Sequence, residues 1–253
     1  MRTKLTAGLL AVATLAGAAI AGQPLASGAA PKASAPSKVY VIHGLPLDDK
    51  GTKVDVYAGA AGGAVGDAGL LADDFTFKHV AGPVSLAPAS YTVYIAAPTA
   101  DDDGKLSASE VIFSKTLDVP SGKNLSAIAS FDGSGKPTIN VFNNSTTKAP
   151  AGGGRVSIRH AANAPAVNVD LGYYPWNRTF SFFNRRYGPA ENGQQADVTT
   201  MAGRYDVVVH VAGSGARVAA VPRLRVAANQ LTAVYAVGTP GSNFGFIIQR
   251  INL

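Results

Sequence analysis

The sequence predicts an all-β chain: two tandem antiparallel β-sandwich domains of the immunoglobulin-like type, following a signal peptide. Three observations predict it. With Gly 28 and Pro 15 among 253 residues, and with Val, Tyr, Phe and Thr recurring in short runs, the composition suits short strands joined by tight turns rather than long helices. Two stretches poor in large apolar side chains, residues 22–37 and 145–154, divide the remainder into segments of about one hundred residues each, an ordinary domain size. Those segments, 38–144 and 155–253, repeat one plan. A closed barrel is the alternative that the same pattern allows.

In chain order, residues 1–21 come first. Arg2 and Lys4 precede an apolar run of small residues from Leu5 to Ala21, and Ala19-Ile20-Ala21 offers an A-x-A cleavage site before Gly22, so this stretch reads as a secretory signal peptide. Its Ala- and Gly-rich run is short of the roughly 20 strongly apolar residues of a membrane span. Cys 0 rules out both disulfides and a lipoprotein anchor, and no second apolar run follows. The exported chain is expected to be soluble, without a transmembrane segment after cleavage, and either secreted or held at the cell wall by non-covalent contacts. Residues 22–37, mostly Ala, Pro, Ser and Gly, form a flexible tether.

The first repeat opens on Val39-Tyr40-Val41-Ile42-His43, answered in the second by Val156-Ser157-Ile158-Arg159-His160. Val54-Asp55-Val56 then answers to Val167-Asn168-Val169, and Phe75-Thr76-Phe77 with Gly82-Pro83 to Phe180-Ser181-Phe182 with Gly188-Pro189. Ala89-Ser90-Tyr91 matches Gly203-Arg204-Tyr205, Leu117-Asp118-Val119 matches Leu224-Arg225-Val226, and Leu125-Ser126-Ala127-Ile128 matches Leu231-Thr232-Ala233-Val234. Each copy closes on a strand, Thr138–Phe142 or Phe244–Ile248. About seven period-two strands per repeat, with turns at short intervals, is the pattern of two facing sheets sharing one core.

Ser157-Ile158-Arg159-His160-Ala161-Ala162-Asn163-Ala164-Pro165-Ala166-Val167-Asn168-Val169-Asp170 resembles the opening strand, turn and second strand of a bacterial family, the domain of unknown function 4397. Val41–Pro46 with Val54–Tyr57 resembles the same passage in the first repeat, and Met201–Tyr205 and Ala87–Tyr91 resemble the family's later turn before a Tyr-bearing strand. Ala89 stands where the second copy has Gly203, and Asn168 where the pattern has Asp. The resemblance implies an exported β-sandwich, often in tandem, and carries no reaction with it.

No motif of catalysis accompanies this plan. HExxH, GxSxG and GxxxxGK[ST] are absent, and the chain is read as a non-enzyme, with an unrecognised hydrolase as the last alternative. His43 and His160 hold equivalent places at a strand end, and with His79 and His210 they read as structural histidines whose rings bond turn backbone. The one cofactor signal is a partial calcium loop, Thr99 to Glu110: Asp101, Asp103 and Glu110 supply carboxylates, Lys105 a carbonyl and Gly104 the turn, but Thr99 replaces the first acidic ligand. Weak calcium binding, or an acidic hairpin loop without an ion, are the two readings.

Charge divides the repeats. Residues 39–144 hold 7 Lys and 12 Asp plus Glu, net −5; residues 155–253 hold 10 Arg and 4 Asp plus Glu, net +6. Arg, with its planar fork, suits carboxylate or phosphate and stacks on rings. Tyr173, Tyr174, Trp176, Arg178, Arg185 and Arg186 cluster in a stretch whose Tyr173–Trp176 part has no counterpart in the first repeat. They form the candidate ligand site, rings for sugars and guanidinium groups for acid groups. The plainer reading makes the Arg residues a charged strand edge. The expected partner is an envelope polymer, anionic or glycan, or alternatively another envelope protein bound through sheet edges; nucleic acid is not expected. The opposite charges also raise the possibility of electrostatic docking between the repeats.

Overall fold

The computed structural model describes residues 34–47, 53–98, 105–174 and 182–253, with the backbone alone for 174 and 182–185; Ser34 to Leu253 form one compact unit. Among the described residues the regular elements are all strands apart from one short 3-10 turn, Val65–Asp67. The first repeat supplies β1 (Ser37–His43), β2 (Val54–Ala60), β3 (Gly69–Phe75), β4 (Val80–Leu86), β5 (Ala89–Ala96), β6 (Val111–Val119), β7 (Asn124–Phe131) and β8 (Pro137–Asn143). The second supplies β9 (Gly153–Ala162), β10 (Val167–Tyr174), β11 (Phe182–Ala190), β12 (Gln195–Met201), β13 (Gly203–Val211), β14 (Arg217–Val226), β15 (Gln230–Gly238) and β16 (Gly245–Asn252).

These strands make four sheets, ordered β3-β2-β5-β6, β4-β1-β7-β8, β12-β9-β15-β16 and β11-β10-β13-β14. Each repeat is therefore a sandwich of two four-stranded sheets, and strand for strand the two orders coincide. Alternation explains each core, because successive side chains point to opposite faces. Val39, Val41, Val54, Val56, Ile95 and Leu125 fill the first sandwich; Val156, Val167, Val169, Leu171, Val207 and Val234 fill the second. One pair in each sandwich is parallel, β1 with β7 and β9 with β15, where long connections separate the partners.

A third core lies between the sandwiches. Ile42, Ile128 and Phe142 of the first meet Ala161, Ala233, Tyr235, Val237 and Ile247 of the second, all buried. The sheets containing β1 and β9 thus face each other as inner sheets, and those containing β2 and β10 are outer sheets. Arg159 is fully buried in this interface. Its Nη2 donates to Asn144 Oδ1 at 2.7 Å and to the Asn143 carbonyl at 3.1 Å, its Nε to Ser157 Oγ at 3.0 Å, and its Nη1 to Tyr235 OH. The described contacts between the two sandwiches are this apolar core and hydrogen bonds, and no ion pair joins them among the described residues.

Two expectations shift. Gly82-Pro83 lies in β4, on inner strand β1, whereas Gly188-Pro189 lies in β11, on outer strand β10, so these pairs are not topological counterparts. They share a steric need: a Cβ on Gly82 would come within 2.9 Å of the Val39 carbonyl oxygen, and one on Gly188 within 2.5 Å of that of Val167. Gly153 and Gly154, expected in the linker, open β9, and a Cβ on Gly154 would meet the Ala227 carbonyl oxygen at 2.3 Å. Close packing rather than flexibility accounts for glycine there.

Candidate functional site

The outer sheet of the second sandwich gathers the Arg residues. Val167, Val169 and Leu171 of β10 and Tyr205, Val207 and Val209 of β13 turn inward to the core, which leaves Asn168, Asp170 and Gly172 and Arg204, Asp206, Val208 and His210 at outward positions. Register sets Arg204 of β13 directly opposite Arg225 of β14, and His210 opposite Arg217. On its other side Arg204 pairs with Tyr174, and Asp170 of β10 pairs with Arg186 of β11.

The two acids of this face are already engaged. Arg186 donates to Asp170 in a two-pronged pair, Nε to Oδ1 at 2.7 Å and Nη2 to Oδ2 at 2.8 Å, and His210 Nε2 lies 3.3 Å from Oδ2. The Arg186 hydrogen bonds hold the Asp170 carboxyl below the ordinary carboxylate range, against a smaller opposing effect of burial. Asp206 Oδ1 accepts the Arg223 backbone N–H at 2.6 Å. Arg204, Arg217 and Arg225 are exposed, and their side chains make no hydrogen bond or ion pair among the described residues. Like charges directly across a strand pair are destabilising, so Arg204 opposite Arg225 is a local cost that folding does not require.

The first sandwich shows what the scaffold alone needs there. Register makes Ser90 and Asp118 the counterparts of Arg204 and Arg225, and Ser90 Oγ donates to Asp118 Oδ1. Beside them Thr92 and Thr116 hydrogen-bond at 3.0 Å. The first outer sheet is also covered: Tyr57 and Tyr94 are buried with Ala68 and Leu106, from the connections after β2 and β5. Their register counterparts in the second sandwich are Asp170 and Val208. One outer face is capped and apolar, the other cationic.

The residues expected to form the site are distributed differently. Tyr173 is 41% exposed and lies edge-on to Tyr205, 5.4 Å between centroids, at an inward position near the end of the sandwich. Tyr174 holds the strand position opposite Arg204. Arg185 stands opposite Leu171, a core residue, and Arg186 opposite Asp170 on the outer face. Trp176 and Arg178 lie outside the described residues, as do Asp101 and Asp103. Glu110 is described, and its carboxylate accepts the Ser107 backbone N–H at 2.8 Å, closing a local turn. Sequence reasoning missed Arg204, Arg217 and Arg225; the available signal was Arg at outward, period-two positions of strands whose first-repeat counterparts are neutral or acidic.

The histidines are structural in their contacts. His43 Nδ1 accepts the Leu45 N–H at 3.4 Å, and at the equivalent place His160 Nδ1 accepts the Ala162 N–H at 3.3 Å while Nε2 donates to the Pro165 carbonyl at 3.1 Å. His79 Nδ1 pairs with Thr76 Oγ1 at 2.6 Å. His210 and Asp170 are an acid–base pair in form, but His210 Nδ1 bonds the Gly215 carbonyl at 3.1 Å, and no nucleophile is bonded to the ring among the described residues. Asp55, Asp73 and Asp74 place carboxylate oxygens within 4.8 Å of one another; Asp74 is tied to Lys53 at 2.5 Å, and Asp55 Oδ1 accepts the Asp74 N–H at 2.8 Å. Apolar cavities of about 20 and 40 Å³ lie within the two cores, far smaller than a ligand pocket. No helix among the described residues is long and apolar enough to cross a membrane.

The family described as Domain of unknown function (DUF4397) matches residues 37–170, more than half of the chain, from β1 into β10. No curated protein matches. Among solved structures, the fimbrial anchor protein Mfa2 from Porphyromonas gingivalis is similar at 10% identity over 86% of this chain and 98% of that one, with a TM-score of 0.27. CBMbc from Eubacterium rectale Amy13K, solved in complex with maltoheptaose, is similar at 10% identity over 85% of this chain and 98% of that one, with a TM-score of 0.23. Both TM-scores are too low for a shared topology, and neither neighbour bears on what this chain binds.

Proposed function

This chain belongs to the DUF4397 family, and we propose that it is a non-catalytic, exported binding module that holds an anionic envelope polymer on the outer sheet of its second sandwich. The observation that carries the proposal is the register pair Arg204 and Arg225: like charges face each other, both exposed, where the first sandwich places the hydrogen-bonded Ser90 and Asp118. The forked guanidinium groups suit carboxylate or phosphate oxygens, each charge-assisted pair being worth roughly 1.5–3 kcal/mol. An acid group seated between the two also relieves their repulsion. Tyr174 of β10 stands in register beside Arg204.

The purified protein is expected to be retained on immobilised polygalacturonate and on a glycerol-phosphate polymer, to elute with rising salt, and to ignore neutral dextran. Replacing Arg204 and Arg225 together by Ala should weaken retention at least about tenfold, equivalent to about 1.4 kcal/mol, without lowering the thermal midpoint. Equal retention of the double variant, or retention indifferent to salt, refutes this function.

A further inference from the structure

Resting on that anion-binding reading, we infer that the ligand is an extended oligoanion lying along β13 and β14 and gripped at both ends of the outer sheet, rather than a compact ligand with one acid group. The exposed Arg residues fall at two ends of the same strand pair. Arg204 stands opposite Arg225 at one end, and His210 opposite Arg217 at the other. Arg204 and His210 are six positions apart on one strand, which at a rise of about 3.3 Å per residue separates the ends by about 20 Å. Between them the charge is spent inside the protein: Asp170 holds Arg186 and contacts His210, Asp206 takes the Arg223 N–H, and Val208 pairs with Ala220.

A lone carboxylate or phosphate engages one end of such a face. A chain with acid groups spaced to reach about 20 Å engages both, and its second contact is intramolecular, which multiplies affinity without any new type of contact. The middle of the track suits the less charged body of such a chain. The corresponding strip of the first sandwich, Tyr57 and Tyr94, is buried under Ala68 and Leu106, whereas Val208 of the second is partly exposed.

The test is a length series of oligogalacturonates titrated calorimetrically into the purified full chain, compared at equal uronate concentration. Octamer is expected to bind at least about tenfold tighter than dimer. Arg217→Ala should bring octamer affinity down toward that of the dimer, with a smaller loss for the dimer; the Arg204→Ala, Arg225→Ala variant should weaken both. Thermal midpoints of the variants confirm that these exposed positions leave the fold intact. If dimer and octamer bind alike and both need Arg204 and Arg225, the two-ended grip is wrong and the binding site stands. If Arg217→Ala leaves octamer binding unchanged, the grip is likewise wrong. If neither oligomer binds at all, the site and the grip fall together.

Discussion

His160 closes β9 with both ring nitrogens committed. Nδ1 accepts a backbone N–H and Nε2 donates to a carbonyl, so the neutral ring with its proton on Nε2 satisfies both contacts, and burial pushes its pKa below the ordinary 6.5. The unfolded chain then binds a proton that the folded chain resists. Stability is therefore full above about pH 6.5 and falls on acidification below it, with a slope of at most about 1.4 kcal/mol per pH unit for one such group. Urea midpoints between neutral pH and pH 5 should show this fall, and His160→Gln should flatten it; an unchanged slope would place the proton elsewhere. Asp170 acts in a separate window. Its carboxyl is held below 3.8 by Arg186, so its contribution is present above that value and is lost only as the pH drops further. That the histidines serve structure was legible from His43 and His160, since equivalent strand ends in separate repeats do not converge on one ion. The fate of Arg159 was not legible: an Arg in a period-two strand reads as outward and solvated unless a second sheet is known to cover it.

At the scale of the element, the turn before each Tyr-bearing strand explains itself. Tyr205 OH donates to the Met201 carbonyl at 2.8 Å and pairs with Thr200 Oγ1 at 2.8 Å; Tyr91 OH donates to the Ala87 carbonyl at 3.0 Å. Both are tyrosine corners, a ring standing on its strand with its hydroxyl tying down the chain four residues upstream. The family's turn is thus a folding device in both repeats. Tyr205 is buried and Tyr91 only partly so, so Tyr205→Phe should cost about 1–1.5 kcal/mol in chemical denaturation and Tyr91→Phe less. Negligible costs at both positions would argue against the corner as a stabilising device. Most elements were legible because period-two alternation survives in both copies, and the register of β2, β5 and β6 against β10, β13 and β14 follows the sequence correspondence. The Gly-Pro pairs misled because one dipeptide serves the same close approach to two different strands. The Arg face was half legible: composition located it in the second repeat, but adjacency drew attention to Arg185 and Arg186, while pairing across strands brings together Arg204 and Arg225, twenty-one positions apart in sequence.

For the whole molecule, the strands that bury both faces are decisive. β15 is buried from Leu231 to Gly238 and β7 from Leu125 to Ser130, a near-continuous apolar pattern with small Ala and Ser residues, which a two-layer sandwich open to water on one side does not need. That signal marks the inner sheets as covered. The sequence match of Leu125 with Leu231 is off by one residue in the structure: Leu125 pairs with Val39 and packs in the first core, whereas Thr232, not Leu231, pairs with Val156. The docking rests on apolar burial and on hydrogen bonds, among them Asn192 Nδ2 to the Phe131 carbonyl at 2.9 Å and Gln195 Nε2 to the Asn143 carbonyl at 3.1 Å. Phe142 and Tyr235 meet edge-on at 5.7 Å, Arg159 lies 5.3 and 5.0 Å from their centroids, and Ser126 Oγ and Tyr235 OH both donate to Gln249 Oε1, at 2.9 and 2.6 Å. Neither kind of contact is an exposed ion pair, so salt should leave it intact. Small-angle scattering is expected to give one compact profile in both dilute and molar salt, and thermal unfolding a single transition spanning both sandwiches. Arg159→Ala should cost about 3 kcal/mol, since it removes four buried hydrogen bonds, to Ser157, Tyr235, Asn143 and Asn144, and leaves a cavity between the sheets. Scattering that expands with salt, or a wild-type chain that melts in two steps, would mean that the sandwiches are joined by charge or merely tethered rather than fused through a shared core.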